Sequence, residues 1–396
     1  MEKREVEVTL EEPKVLYVAP LKDFSGYADA SRNYVRALDL AGMNLVTRDL
    51  TYDGGEYSRS ERQTELSSLS AQDIDIIIQQ TTPNETEYKE GCFNVNAFCW
   101  ETDRVPPEWV SMLNQMDLIL VPIEANRIAS QECGVVKPIE VVPYSCNLEK
   151  YKRPVKPYVL PNADDSFKFL AVCQYSKKKG VDALLKAYFT EFTSKDPVIL
   201  ILKTYMGSDD GQDERAKIIG IINAMKGILR LKSYPPVKLI HEVMSHEEVE
   251  RLYVTADCYV LPSRGEGWGI PHFDALGFGL PTIATKGTGP EAFITEDCGW
   301  LVDSSWSPVC NMPHPHDFMY TGLDNWKEPN VCSLKAAMRE SFTLCGLTRS
   351  QTRFSNRWNE MIEVAKNRVE DFRPEKIGPQ LRDVIMRYYS QWKRVN

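Results

Sequence analysis

Residues 261–274 read LPSRGEGWGIPHFD and continue as ALGFGLPTIA over residues 275–284. An apolar run from Cys258 to Leu261 precedes this stretch, and an apolar-periodic run beginning near Pro271 follows it. This order predicts a strand, a polar loop, a helix and a second strand. In an open α/β sheet, ligands bind beyond the carboxyl ends of the strands, which is where this loop falls. The stretch therefore predicts an α/β fold and the position of a ligand site within it.

The residue types in the loop indicate what kind of ligand it binds. The glycines of Gly265–Gly269 remove side chains from the turn, so that backbone N–H groups can approach a ligand closely. Pro271 suits the first turn of a helix, and a helix N-terminus attracts phosphate through its free N–H groups and its dipole. Glu266 and Asp274 are poor phosphate ligands but good acceptors for sugar hydroxyls. Together they favour a ligand with both phosphate and hydroxyl-rich rings, such as a nucleotide sugar.

The same stretch resembles the Glu-x7-Glu region of family 4 glycosyltransferases, which have the GT-B fold. The resemblance implies that Glu266 contacts the transferred sugar and that Asp274, one methylene shorter than the family's glutamate, holds the ribose of the donor. Residues 287–291 (GTGPE) are similar to the next loop of that family. The alternative is that the stretch is an ordinary βαβ turn, in which Glu266 and Asp274 have no role in binding a ligand.

A lysine-rich turn follows the strand predicted for Phe167–Val172. Members of the family carry Gly-Arg at the end of this strand and Lys-Gly five residues after the arginine, and the two cations hold the donor diphosphate. Here Lys179-Gly180 matches, but Gln174 occupies the arginine position and carries no charge. Charge-assisted hydrogen bonds are about twice as strong as neutral ones, and Lys177 and Lys178 are candidates to compensate. The alternative is that Lys179 is exposed to solvent in the turn and does not bind the donor.

The predicted first domain opens with a strand over Lys14–Ala19, a Ser25-Gly26 turn and a helix over Ala28–Leu40. This order resembles the opening glycine loop of the GT-B N-terminal domain, which faces the cleft between the domains. The turn is not a G-x-G-x-x-G fingerprint, so we do not expect a dinucleotide site. The residues predicted to bind the donor are Gly26, Gln174, Lys179, Lys203, Gly267, Trp268, Gly269, Ile270 and Asp274.

Polar residues also follow the strand predicted for Asn94–Cys99. Many family members have a histidine near this point that helps to position the acceptor or the sugar, but this chain has no histidine before His241. We predict that Glu101 and Asp103 take the role of this histidine. The alternative for Asp103 is that it caps the N-terminus of the next helix. The predicted acceptor-side residues are Ser25, Tyr27, Glu101 and Asp103. The predicted catalytic residues are Glu266, Lys179 and Glu101.

We predict neither a metal site nor a cofactor. Asp73 and Asp75 form a DxD triplet, the metal signature of the other large glycosyltransferase fold, but they precede a strand, whereas a donor-metal site lies where a strand ends. His241, His246 and His272 lack the spacing of metal ligands, and we expect them in the cleft or at the surface.

The length of 396 residues allows two domains with separate cores. We predict two Rossmann-like domains across a deep cleft: residues 1–153 with 376–396 on the acceptor side, and residues 154–375 on the nucleotide-sugar side. Residues 154–165 read as the linker, and the polar residues 51–70 read as a surface loop. Aromatic residues near the C-terminus could belong to a membrane-surface or nucleic-acid helix, but in GT-B enzymes the terminal helix crosses back and packs on the first domain. The Pro-rich insertion 306–329 has no assigned role.

The composition is that of a soluble globular protein, with 43% hydrophobic and 26% charged residues. Because the net charge is −9, the protein as a whole has no positive electrostatic field that would attract the phosphates of nucleic acid. The ten cysteines contain no CxxC pair, which favours a reducing compartment. With no apolar leader and no 18-residue apolar run, we expect a cytoplasmic protein, or one in the cytoplasm of an infected host cell if it is viral.

Three functions fit these observations. The first is a glycosyltransferase that uses a nucleotide-diphosphate sugar and acts on a glycan, lipid or protein, retaining the anomeric configuration without a metal, as the family resemblance implies. The second has the same donor chemistry but modifies a hydroxymethylated base in DNA, which would need a local basic groove at the mouth of the first domain. The third is a non-catalytic protein that binds nucleotide sugars.

Overall fold

A computed structural model describes residues 12–50, 57–161, 163, 165–206, 213–312, 319–346 and 355–396. Several sequence expectations fall partly outside these residues. They concern the start of the chain, residues 51–56 of the polar segment 51–70, Asn162 and Asp164 of the linker, and residues 313–318 of the insertion.

The first domain is built on a parallel sheet with the strand order β2-β1-β3-β4-β5-β6. Its strands are β1 Lys14–Ala19, β2 Asn44–Asp49, β3 Ile76–Gln80, β4 Phe93–Ala97, β5 Leu118–Val121 and β6 Ile139–Val141. Its helices are α1 Gly26–Leu40, α2 Glu61–Ser68, α3 Pro107–Leu113, α4 Glu124–Glu132 and α5 Glu149–Lys152. Every residue of β3 is buried, as expected for a parallel strand covered on both faces.

Helix α2 corrects the sequence interpretation, which treated residues 51–70 as a loop. The helix starts with a capping box in which the Ser60 side chain accepts from the backbone of Gln63 and the Gln63 side chain accepts from the backbone of Ser60. Leu66 is its one buried residue, so the hydrophobic pattern that usually reveals a helix is nearly missing.

The second domain contains another parallel sheet, with the strand order β12-β11-β10-β7-β8-β9. Its strands are β7 Phe167–Gln174, β8 Val198–Tyr205, β9 Val237–Ile240, β10 Cys258–Leu261, β11 Thr282–Thr285 and β12 Gly299–Val302. The helices that follow are α6 Val181–Glu191, α7 Glu214–Leu229, α8 His246–Thr255, α9 Ile270–Gly277, α10 Val331–Cys345, α11 Asn356–Val369 and α12 Pro374–Lys393. The predicted architecture of two parallel-sheet, Rossmann-like domains is confirmed.

An antiparallel hairpin leaves the second domain after β12. It consists of β13 Ser304–Pro308 and β14 Asn325–Pro329, which lie at the two ends of the insertion 306–329. Residues 319–325 lead into β14 and lie against the first domain, where Met319 and Tyr320 pack on a cluster that includes Trp100 and Trp109. The insertion therefore connects the two domains.

The strand order identifies where a ligand should bind in the second domain. The chain runs from β7 to β8 and β9 on one side of the sheet, then returns to β10 on the other side of β7. The order therefore reverses between β7 and β10, and ligands bind outside the carboxyl ends of strands at such a switch point. The loops after β7 and β10 are the two that the sequence singled out.

Helix α12 crosses back to the first domain, as predicted. It packs on α1 so closely that a Cβ atom added at Gly378 would lie 2.2 Å from the carbonyl oxygen of Ala37. Tyr389 donates to Asp75 at 3.2 Å, and the ring of Trp392 lies 6.0 Å from that of Phe93. The terminal aromatics thus pack on the first domain, while the limits 1–153 with 376–396 and 154–375 stay a prediction.

Three further observations concern features that the sequence raised. Asp73 and Asp75 precede β3 as expected, and Asp75 accepts a hydrogen bond from the backbone of Lys14 at 2.9 Å, which is a structural role. Among the described helices, none is both long and apolar enough to cross a membrane. All ten cysteines are free thiols.

Candidate functional site

The candidate site lies at the switch point between β7 and β10. A 3₁₀ turn over Lys177–Lys179, the lysine turn, follows β7, and the loop Gly265–Gly269, the glycine turn, follows β10. The two loops meet because β7 and β10 are adjacent parallel strands.

The buried Glu266 and the half-buried Lys179 form an ion pair at the centre of the site. Lys179 Nζ lies 2.7 Å from Glu266 Oε1, and Ser263 Oγ donates to the same oxygen at 2.7 Å. Burial alone would raise the pKa of Glu266, but the charge of Lys179, the nearby His272 ring and the two hydrogen bonds lower it to about 2. Glu266 is therefore an ionised carboxylate in which one oxygen is held and oriented by the protein.

The low pKa of Glu266 leads to a pH-dependent prediction. Because this pKa lies below its ordinary value of 4.5, the carboxylate stabilises the fold above pH 4.5, and this contribution is lost as the pH falls toward 2. Glu266→Gln should lower the free energy of unfolding by up to about 3 kcal/mol at pH 6 and by about half as much at pH 3. Urea denaturation at both pH values measures the difference. Glu363→Gln, which changes an exposed carboxylate, is the control. If Glu266→Gln lowers the free energy of unfolding by the same amount at both pH values, the assignment is contradicted.

The glycine turn presents unpaired backbone donors beside this pair. Among the described residues, none accepts a hydrogen bond from the backbone N–H groups of Gly267, Trp268, Gly269 or Ile270. The first three of these residues are buried, and a buried N–H group without an acceptor is costly. They lie at the N-terminus of α9, where the helix dipole favours an anion. The turn can therefore bind phosphate oxygens next to the ammonium group of Lys179.

The glycines of this turn also have a second role that the sequence did not reveal. A Cβ atom at Gly265 would lie 2.9 Å from the Cβ and carbonyl oxygen of Glu101, and one at Gly267 would lie 2.8 Å from Cys99 Sγ. Both contacts are with the first domain. Gly265 and Gly267 cannot carry side chains because the two domains touch there, and the turn faces the gap between them.

The three lysines of the lysine turn have three different partners. Side chains in a 3₁₀ helix are about 120° apart, so each lysine points in its own direction. Lys177 pairs with Asp182 at 2.5 Å, Lys178 pairs with Glu101 across the domain gap, and Lys179 pairs with Glu266. Each of the three lysines thus has a carboxylate partner, and compensation for the missing arginine by Lys177 or Lys178 stays a prediction.

The other predicted donor residues lie at the ends of β7 and β8. Gln174 is exposed at the end of β7, opposite Tyr205 in the strand register. Lys203 is only 6% exposed, its ammonium lies 5.5 Å from the Tyr205 ring centre, and burial lowers its pKa. Among the described residues no carboxylate pairs with it, so Lys203 is a second cation near the site that could meet a diphosphate.

Asp274 lies on α9 but is already engaged with the segment that ends the first domain. Its Oδ1 atom accepts from Lys150 Nζ at 2.5 Å and from the hydroxyl of Tyr151 at 2.7 Å. The Tyr151 ring packs on Gly277, where an added Cβ would lie 2.4 Å from it. A ribose bound by Asp274 would share this carboxylate with Lys150 and Tyr151, and the ribose role stays a prediction.

The glycine loop of the first domain faces the second domain, as expected. A Cβ atom at Gly26 would lie 3.4 Å from the Cδ1 atom of Ile270, so the two glycine loops lie opposite each other. Ser25 caps α1 by accepting from the backbone of Ala28 at 3.2 Å. The hydroxyl of Tyr27 lies 3.5 Å from the carbonyl oxygen of Ala97.

Glu101 and Asp103 both contact the insertion. Glu101 accepts from the hydroxyl of Tyr320 at 2.7 Å, and the Tyr320 ring stacks on Trp100 with 5.4 Å between centres. Asp103 accepts from the backbone of Asn325 at 2.7 Å and from its side chain at 2.8 Å. Because α3 begins at Pro107 after an N-cap at Pro106, the alternative of Asp103 as an N-cap is wrong.

Two histidines lie where the sequence placed them, and one does not. His241 is half-buried and His246 is exposed, whereas His272 is fully buried and corrects the expectation of a cleft or surface residue. Its Nε2 atom lies 2.9 Å from the carbonyl oxygen of Leu261, and burial lowers its pKa, so the ring is neutral. In the described ranges no three or more His, Cys, Asp or Glu side chains are grouped as metal ligands.

Comparison with known proteins agrees with this geometry. Residues 153–308 match the family described as glycosyl transferases group 1. A search of curated proteins finds no match to the sequence.

Several solved structures share the fold at low sequence identity. Sucrose-phosphate synthase from Thermosynechococcus elongatus is 16% identical with a TM-score of 0.62, and the alignment covers 96% of this chain and 100% of that one. Anabaena HepE in complex with UDP and glucose is 13% identical with a TM-score of 0.60, covering 94% and 99%.

A third solved structure is much longer than this chain. The pneumococcal O-GlcNAc transferase GtfA in complex with UDP and GlcNAc is 16% identical with a TM-score of 0.51, and the alignment covers 79% of this chain but 57% of that one. This chain thus spans little more than half the length of that transferase. Taken together, the chain has the GT-B fold, and its residues 153–308 form a glycosyl transferases group 1 domain.

Proposed function

We propose that this protein is a family 4-type glycosyltransferase that moves a sugar from a nucleotide-diphosphate sugar to an acceptor hydroxyl, with retention of configuration and without a metal. The observation that carries the proposal is the grouping at the β7–β10 switch point: the Lys179–Glu266 pair lies beside the unpaired amides of the glycine turn. Ammonium and amide donors suit a diphosphate, and a carboxylate suits sugar hydroxyls.

The proposed reaction breaks the bond between the anomeric carbon and the phosphate oxygen. The acceptor oxygen bonds to that carbon from the same face, and the acceptor proton passes to the released diphosphate. Negative charge grows on the diphosphate as the bond breaks, and Lys179, the amides of the glycine turn and the dipole of α9 stabilise it. Glu266 holds the sugar hydroxyls in place. Asp274, Gln174 and Lys203 complete the proposed donor site.

The acceptor binds on the side of the first domain in this proposal. Glu101 and Asp103 lie there, and Glu101 is close enough to the glycine turn to act near the reacting atoms. Two carboxylates on this side disfavour a polyanionic acceptor such as DNA. We therefore favour a glycan, lipid or protein hydroxyl, and Ser25 and Tyr27 complete the proposed acceptor side.

A ligand panel tests the proposal. UDP, GDP and ADP are added separately, and the one that binds should raise the melting temperature by mass action. UDP is tested first because UDP occupies the structures of HepE and GtfA. Hydrolysis of the corresponding nucleotide sugars then tests for catalysis, and chelation with EDTA should leave the rate unchanged. Absence of binding by all three diphosphates would overturn the proposal, and binding without turnover of any donor or acceptor would favour the non-catalytic alternative.

A further inference from the structure

Arg264 is a fully buried arginine between the lysine turn and the hairpin. Its side chain is 2% exposed. The guanidinium donates to both carboxylate oxygens of Glu328, at 2.5 and 2.7 Å, and to both oxygens of Asp182, at 2.8 and 3.1 Å. A fifth bond goes to the carbonyl oxygen of Lys177 at 2.6 Å. A guanidinium has five N–H groups, so every one has an acceptor.

The backbone of Arg264 joins the same elements. Its N–H donates to the carbonyl oxygen of Lys178 at 2.7 Å, and its carbonyl oxygen accepts from the backbone of Lys327 at 2.8 Å. One residue thus connects the main chains of the lysine turn, the glycine turn and β14. Lys179 is the residue after Lys178, and Glu266 lies two residues after Arg264. The 2.7 Å contact between Lys179 and Glu266 therefore depends on the connection that Arg264 makes.

The charges around Arg264 are balanced. Lys177 and Arg264 contribute two positive charges, and Asp182 and Glu328 contribute two negative ones. Removal of one partner from a buried charged network leaves the other uncompensated, so the remaining groups rearrange. Lysine cannot replace Arg264 because it has no planar fork to bind two carboxylates bidentately.

We propose that Arg264 is a positioning residue for Lys179 and Glu266, and that the hairpin supplies, through Glu328, one of the two acids that hold it. The inference rests on the proposed function, because it assigns Lys179 and Glu266 to the donor. The insertion 306–329 then supports the donor site through Glu328, which holds Arg264 and does not contact the donor itself.

Glu328→Gln tests the proposal with UDP and uridine as probes, measured by titration calorimetry and ligand-observed NMR. The substitution should weaken UDP binding by about tenfold, as expected for loss of one charge-assisted contact, and leave uridine binding unchanged. Arg264→Lys should produce the same pattern. Glu191→Gln is the matched control, since Glu191 also binds an arginine, Arg339, at 2.8 Å. Glu191 lies about 14 Å from Asp182 along α6.

A second measurement separates positioning from general destabilisation. In a Lys179→Ala background, Glu328→Gln should change UDP affinity by less than about twofold, because residues that act through one another are not additive. Full additivity in this cycle, or UDP binding by Glu328→Gln equal to that of the Glu191→Gln control, would overturn the positioning role. Failure of the unaltered protein to bind UDP, GDP and ADP would overturn the proposed function instead, so the two failures are distinguishable.

Discussion

Replacement of Lys179 by alanine is expected to lower donor turnover by about 10²- to 10³-fold, the usual cost of removing one preorganised donor at a developing charge. Lys179 is half-buried beside the glycine turn, and its ammonium lies 2.7 Å from Glu266. Its charge is the one that sits next to the unpaired amides of that turn. Without it, the leaving diphosphate would be stabilised only by the dipoles of the turn and by Lys203, the second cation of the proposed donor site. The rate of sugar release from the donor that binds best measures the effect.

Two variants make this result interpretable. Lys179→Arg keeps the positive charge and should recover part of the rate, which separates loss of charge from loss of structure. Lys186→Ala removes an exposed lysine from α6 and should leave the rate unchanged. If the Lys179→Ala variant folds normally and its turnover is as fast as that of Lys186→Ala, Lys179 has no role in the mechanism.

The sequence predicted the elements around the site because their signals are local. The strands β1 and β10 have the predicted limits. Each is a short apolar run bounded by polar residues, and such runs predict buried parallel strands. The loops after β7 and β10 were found because glycines, acids and lysines of the right types occur close together in the chain. Their meeting at a switch point then follows from the strand order.

The features that the sequence missed depend on contacts between distant residues. Glu328 lies 64 residues from Arg264, and no local pattern pairs them. The engagement of Asp274 by Lys150 joins residues 124 positions apart. The Pro-rich composition of the insertion indicated no role for it, yet Tyr320 stacks on Trp100 and donates a hydrogen bond to Glu101. Arg264 could have been noticed as a cation directly beside the glycine turn, but its burial and its partners could not.

Gly265→Ala is the second substitution for which we expect a large effect, because Gly265 is where the two domains meet. The added Cβ would lie 2.9 Å from the carbonyl oxygen of Glu101 and from its Cβ atom, so either the backbone or the domains must move. Gly265 is not among the described glycines with positive φ, so alanine is allowed by its backbone and the effect is steric. Overpacking of this kind costs about 1–3 kcal/mol. We expect a lower melting temperature, loss of the contact between Glu101 and Lys178, and at least about tenfold slower turnover, since small displacements of catalytic groups have large effects on rate.

Gly220→Ala provides the matched control for this steric effect. Gly220 lies inside α7, and an added Cβ there meets nothing within 4 Å. Alanine at such a helix position should stabilise the fold by about 0.5–1 kcal/mol and leave turnover unchanged. Small-angle X-ray scattering distinguishes the two ways in which Gly265→Ala can act: a larger radius of gyration indicates separated domains, and an unchanged radius indicates a local backbone shift. If Gly265→Ala melts and turns over like Gly220→Ala, the contact between the glycine turn and Glu101 does not hold the site together, and Glu101 loses its place beside the donor.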